Sequence, residues 1–222
     1  MLHTLFLVPT KFEFDQLSNS FHKNLAGKNC RIEIVGFGSV VSGVRTSHLI
    51  IELKPQMVIL LGIAGKLSGT AEVGTAVEFD RVACYGVGAG AGSSFETSDE
   101  MGWLQWDQRS NEALIESIGC SLSLNPSSDL YEESLPTYAQ LLTCCSASSN
   151  VSEVELKRSK FPEAIAEDME GFSVAVACRF SNVPLRIVRG ISNVAGERNR
   201  AYWKVEAAMH SAEEMVLQIL SS

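Results

Sequence analysis

The sequence predicts a layered α/β fold in which one β-sheet is covered by helices on both faces. The strand-like runs, above all TLFLV at 4–8 and MVILLGIAG at 57–65, are apolar without alternation, the pattern of strands buried on both sides. Between such runs lie segments such as VSGVRTSHLIIEL, whose apolar residues recur at helical spacing. At 222 residues, 45% of them hydrophobic, the chain is long enough to bury a sizeable core as one domain.

In chain order, TLFLV leads to Thr10-Lys11-Phe12-Glu13, a capping box opening a helix from Glu13 to Leu25. RIEIVGFG at 31–38 reads as the second strand, and the helix over 41–53 is closed by Lys54-Pro55. MVILLGIAG is the third strand and TAVEFDRVACYG, 75–86, the next. A helix from Asn111 to Ile118, a strand over QLLTCCSAS at 140–148, a helix from Glu170 to Phe180 and a strand over PLRIVRGIS at 184–192 follow. A helix over 203–220 ends the chain. Residues 86–102 and 121–136 are rich in Gly, Ser, Asn and acids, and are expected as long loops able to rim a pocket.

A net charge of −8 and a pI near 5.1 argue against a long phosphate-backbone footprint and for a small-molecule partner. The six cysteines form no CxxC pair and sit mostly in apolar runs, which points to reduced core thiols and a cytoplasmic compartment. The apolar start, Leu5 to Val8, is short for a signal h-region, and no run reaches membrane-spanning length. GFGSVVSG at 36–43 misplaces the third glycine of a dinucleotide fingerprint, and VGAGAGSS lacks the Gly-Lys-Ser/Thr ending of a phosphate loop. The four histidines are scattered without ligand spacing, so neither a cofactor nor a metal is expected.

Three polar residues stand out, each with a plain structural reading beside a chemical one. Glu13 completes the capping box. Glu170 falls in the first turn of an apolar helix beside Glu167 and Asp168, where the helix dipole favours negative charge. Asn193 follows a strand and precedes Val-Ala-Gly, where it can initiate a turn.

Together with their surroundings they resemble a known family. LVPTKFE, GFGSVVSG, KPQMVILLGIAG, AEVGTAVEFDRV, FPEAIAEDMEGFSVA and VRGISNVAGERNRAYW occur in the order found in the purine nucleoside phosphorylase and nucleosidase superfamily, and span essentially the whole chain. Within it the chain looks most like the futalosine hydrolases, with the methylthioadenosine/S-adenosylhomocysteine nucleosidases as near relatives. The resemblance implies a three-layer α/β/α sandwich around a mixed, mainly parallel sheet, and a homo-oligomer in which a neighbouring subunit helps close the site. It also implies hydrolysis of the N-glycosidic bond of futalosine, a 6-oxopurine nucleoside of menaquinone biosynthesis.

By the same resemblance Glu13 is the carboxylate that activates water. Glu170 accepts from the ribose hydroxyls and Met169 packs beneath the sugar. The turn Ile63-Ala64-Gly65 brings backbone to the ligand, and Trp203 walls the ribose. Asn193 stands where adenine-cleaving relatives have an aspartic acid; its amide donates without needing a proton, which suits a base with acceptors at N7 and O6. Arg198 and Arg200 are candidates for the distal carboxylate of futalosine, or solvated surface arginines. Ala147 and Ser148 fall where those relatives stack an aromatic ring, leaving Phe172, Tyr85 or Phe95 to supply one. Ile63 replaces a hydroxyl residue usual in phosphorylases and the first loop offers only Lys11 as a cation, which favours hydrolysis over phosphorolysis. A phosphorylase, a methylthioadenosine-type nucleosidase and a non-catalytic nucleoside-binding protein are the alternatives.

Overall fold

The computed structural model describes residues 2–107, 117–124 and 139–221. The elements in chain order are β1 (Thr4–Val8), α1 (Lys11–Phe14), α2 (Asn19–Leu25), β2 (Cys30–Ile34), α3 (Ser39–Leu53), β3 (Met57–Lys66), β4 (Ala76–Phe79) and β5 (Arg81–Tyr85). The short β6 (Gly88–Ala89) and β7 (Glu96–Thr97) and then β8 (Ser121–Ser123), β9 (Gln140–Cys144) and α4 (Val151–Lys160) follow. The chain continues through β10 (Ala164–Asp168), α5 (Gly171–Phe180), β11 (Leu185–Val194) and α6 (Val205–Ile219).

Among the described residues nine strands form one mixed sheet, and β3 is its hub. β3 runs parallel to β1 along Met57–Leu60, parallel to β11 along its whole length, and antiparallel to β10 at Gly65 and Lys66. The β1–β2, β9–β10 and β5–β9 pairs are also parallel, while β4 on β11 and β8 on β5 are antiparallel. Alternation along the strands separates two cores. Leu5, Leu7, Val58 and Leu60 pack with Leu49 and Ile50 of α3 and Val174 and Cys178 of α5. Phe6, Val8, Ile59, Leu61 and Val188 pack with Phe21 and Leu25 of α2 and Met209, Ala212 and Val216 of α6. The result is helix, sheet and helix, the sandwich that the resemblance implies.

Several elements differ from the sequence reading. The helix expected over 13–25 is broken, because Ser18 caps α2 through Phe21 N and is itself held by Glu213 of α6, which accepts from Ser18 N and Oγ at 2.6 and 2.7 Å. The strand expected over 75–86 divides at Asp80, since its halves pair with different neighbours. Residues 121–123 of one expected loop form β8, which lies against β5. The rest of that loop and most of the helix expected at 111–118 lie outside the described residues, while Ile118 itself bridges to Trp106 in antiparallel fashion. Neither α4 nor β10 was foreseen: VSEVELKRSK shows almost no apolar stripe, and AIAED is too short and mixed to announce a strand. Among the described residues no helix is long and apolar enough to cross a membrane.

Candidate active site

The C-terminal half of β3, the end of β1 and the strands β10 and β11 bring five polar side chains together around Gly62. Val8 and Pro9 lead from β1 into Thr10, whose hydroxyl caps α1 by accepting from Glu13 N at 3.2 Å. The Glu13 side chain is buried, and its Oε2 accepts from the Thr10 hydroxyl at 2.5 Å. Its Oε1 accepts from Ile63 N on β3 at 3.0 Å. A capping role therefore exists but does not exhaust the residue, since one oxygen crosses to the central strand. Gly62 is required there: a Cβ would overlap Arg189 Nη1, lie 2.6 Å from Glu13 Oε1 and 3.0 Å from Pro9 Cδ.

Arg189, in the middle of β11, is fully buried. Its Nη2 donates to Asp168 Oδ2 at 2.5 Å and reaches Glu170 Oε2 at 3.5 Å, while Nε and Nη1 have no partner among the described residues. Buried guanidinium N–H groups left unpaired are costly, and native interiors tolerate few of them. They are donors available to a ligand or water. Asp168 is itself held by Thr143 Oγ1 at 2.7 Å and Gly171 N at 2.8 Å, so the arginine's anchor is rigid.

Glu170 is the N-cap residue of α5, but its carboxyl makes no cap bond to that helix. Oε1 instead accepts from Gly38 N at 3.0 Å, at the opening of α3. Gly38 has φ 84°, the left-handed region that favours glycine, so the GFGSVVSG turn serves to aim one N–H at this carboxyl. The dipole reading of Glu167 and Asp168 is corrected as well, because both belong to β10 and not to a helix.

Burial dominates the electrostatics. It raises the Glu13 carboxyl above its ordinary 4.5, opposed by Arg189, the Thr10 hydroxyl and the backbone N–H groups of Ile63 and Thr10. The Glu170 carboxyl is pushed up to about 7 by burial and then by the charge of Asp168, against the pull of Arg189 and Gly38 N–H.

At the other end of the site, Gly65 of β3 is in register with Asn193 of β11 on one side and Glu167 of β10 on the other. Asn193 is buried; its Oδ1 accepts from the Ser192 hydroxyl at 2.8 Å and its Nδ2 donates to Val194 O at 2.8 Å. The carbonyl of Val194 sets the direction of the amide, since a flipped side chain would place two acceptors face to face. One N–H of Asn193 is left to point elsewhere. Ala64 is buried, and its carbonyl lies 3.3 Å from Ser192 Oγ. Met169 is half-buried, with its carbonyl accepting from Ser39 Oγ at 3.1 Å.

The remaining expected residues are more scattered. Trp203 is half-buried and donates from Nε1 to Glu197 O at 3.1 Å, with the exposed Arg198 guanidinium 5.9 Å from its ring; Arg200 is exposed in a 3₁₀ turn. Of the three aromatics expected to face a base, Phe172 is on α5 and buried in the core, whereas Tyr85 and Phe95 form a ring pair at 4.9 Å. Ser148 is buried and bonded to Glu167.

Arg189, Asp168 and Gly62 were not singled out from the sequence. Arg189 left a signal, since a cation in the centre of the apolar run LRIVRGISNV must find buried acids. Asp168 and Gly62 gave none, because their roles depend on strands that meet only in space.

With this geometry in place, the chain can be set beside known proteins. A family model described as Phosphorylase superfamily matches residues 9–222. Futalosine hydrolase of Streptomyces coelicolor is 26% identical over 160 residues, covering 72% of this chain, which spans 63% of that relative's length. A 5'-methylthioadenosine/S-adenosylhomocysteine nucleosidase of Geobacillus is 29% identical over 190 residues, covering 84% of this chain and 78% of the relative. Among solved structures, such a nucleosidase from Colwellia psychrerythraea in complex with adenine aligns with a TM-score of 0.73 at 18% identity, over 100% of this chain and 96% of the other. Native futalosine hydrolase of Helicobacter pylori aligns with a TM-score of 0.69 at 16% identity, over 100% and 99%. The structural likenesses concern the fold.

Proposed function

Because the chain belongs to the phosphorylase superfamily, we propose that it is a nucleosidase that hydrolyses the N-glycosidic bond of futalosine, releasing hypoxanthine and dehypoxanthine futalosine in menaquinone biosynthesis. The observation that carries hydrolysis is the charge at the centre of the site, where the buried carboxyls of Glu13, Asp168 and Glu170 surround one guanidinium. A neutral water enters such a site readily, whereas a phosphate dianion meets two or three acids at low dielectric. Lys11, the cation nearest in sequence, is exposed and paired with Asp15 at 2.6 Å.

In this reading the unpaired N–H groups of Arg189 donate to the water oxygen and Glu13 takes its proton as oxygen bonds to the anomeric carbon. The C–N bond breaks with its electron pair going to the base, which leaves as an anion and takes up a proton from solvent as Glu13 returns its own, so that one water is added across the bond. Ionised Glu170 accepts from the ribose hydroxyls and holds the anomeric carbon over the water. The remaining N–H of Asn193 donates to N7 or O6 of the departing hypoxanthine and stabilises its developing charge. The exposed apolar strip of Phe37, Val40, Val41, Val44 and Ile51, beside Gly38, supports a homo-oligomer.

A 5'-methylthioadenosine/S-adenosylhomocysteine nucleosidase is the second reading, favoured by the 29% identity to the Geobacillus relative. Offering the purified protein futalosine, inosine and methylthioadenosine, with and without phosphate, separates the readings. Phosphate-independent hypoxanthine release from futalosine is expected; faster adenine release from methylthioadenosine, or dependence on phosphate, would overturn the proposal.

A further inference from the structure

The candidate base end carries a buried ion pair that the chemistry above does not use. Lys157 of α4 and Glu167 of β10 are each only 4% exposed, with Nζ and Oε2 2.7 Å apart. Lys157 Nζ also donates to Ser146 O at 2.8 Å and Ser148 Oγ at 2.9 Å, so all three ammonium hydrogens are engaged. Glu167 in turn accepts from Ser148 N at 2.7 Å and Ser148 Oγ at 2.8 Å. Three atoms of the segment between β9 and α4 are thus held by two charges.

That segment lies beside the Asn193 turn. A Cβ on Gly196, just past Asn193, would meet the backbone carbon and oxygen of Asn150 at 3.0 Å. On the sheet, Glu167 and Asn193 flank the same residue, Gly65, whose added Cβ would touch Glu167 Cγ and Ala195 at 3.6 Å. The ring of Tyr85 lies 5.9 Å from Lys157 Nζ.

Stability alone does not call for this arrangement. Taking two charges out of water costs several kcal/mol per ion, and apolar residues of similar volume commonly replace a buried pair without loss. A salt bridge that bonds three atoms of one loop specifies where that loop sits. Resting on the purine-site reading above, we propose that Lys157 and Glu167 are a positioning pair for the base, locking residues 145–150 against the Asn193 turn and so setting the width of the slot that receives the purine.

The test uses the double variant K157M/E167M, which removes both charges, and S148A, which removes the bridging hydroxyl and leaves the ion pair. Both are read by melting temperature, by kcat and KM for hypoxanthine release from futalosine, and by the calorimetric dissociation constant for hypoxanthine. A loosened wall weakens ground state and transition state alike, so KM and the dissociation constant should rise about tenfold in the double variant and about threefold in S148A, with kcat within about twofold. Melting should change little in either. Wild-type KM and hypoxanthine affinity in the double variant would overturn the proposal, as would the same result in S148A if the double variant does not fold. If the wild type releases no base from futalosine, the hydrolytic reading fails on its own, and hypoxanthine affinity still decides the positioning role.

Discussion

Replacing Glu170 by Gln should make the protein more stable at neutral pH and much less active. The buried carboxyl is pushed from an ordinary 4.5 up to about 7, by burial first and Asp168 second. Holding it ionised therefore costs the unliganded fold up to about 3 kcal/mol. Its folded midpoint lies above the unfolded one, so the stabilisation is fully present below about pH 4.5 and is lost as pH rises through about 7. A Gln keeps an acceptor for Gly38 N but turns its amide towards Arg189 Nη2, which returns part of the gain. Between pH 4 and 8.5, differential scanning calorimetry should show the two proteins melting together at the acid end. At the alkaline end E170Q should melt about 3–8 °C higher, the size expected of 1–3 kcal/mol in a chain of this length. Hypoxanthine release should fall at least about a hundredfold, because a charge-assisted bond that also orients the sugar is gone. Parallel melting curves at every pH, or near-normal turnover, would refute the reasoning.

Three further outcomes follow from the same geometry. Glu13→Gln keeps the backbone cap on Thr10 and the acceptor for Ile63 N; because burial raises this carboxyl too, melting at neutral pH should hold or rise, while hydrolysis drops at least about a hundredfold, the usual weight of a general base, and surviving activity would reduce Glu13 to its structural role. Asn193→Asp sets a carboxylate against Val194 O and against the acceptors of a 6-oxopurine; the rate ratio of futalosine to aminofutalosine should shift towards the amino compound, with futalosine cleavage partly recovering at low pH, and equal losses at every pH would show that Asn193 only shapes the turn. Gly62→Ala drives a methyl into Arg189 and Glu13; about 1–3 kcal/mol of stability and most of the activity should be lost, and wild-type kinetics would mean that these side chains are not used as they stand.

Glu13, Glu170 and Asn193 stood out in the sequence because each sits at a cap, a helix start or a strand end, while the chemical roles expected of them came from the family resemblance. TLFLV and MVILLGIAG announced the parallel centre of the sheet, since burial on both faces leaves no polar alternation. What the residues did there was open. Thr10 and Glu13 satisfy a capping box in sequence, and only the approach of β3 turns one carboxylate oxygen to Ile63 N.

The sequence by itself determined the central apolar strands, the long helices over 41–53, 170–180 and 203–220 that cover them, and the absence of a basic footprint, all of which are properties of neighbours along the chain. The tertiary structure alone decided that Arg189, Asp168, Glu170 and Glu13 share one buried space, that Gly62 must lack a side chain there, and that Lys157 reaches Glu167. The physical reason is that burial and Coulomb attraction depend on distance in space. Residues 13, 62, 168 and 189 become neighbours only once β1, β3, β10 and β11 have found their registers, so the pressure on their charges is set by the sheet.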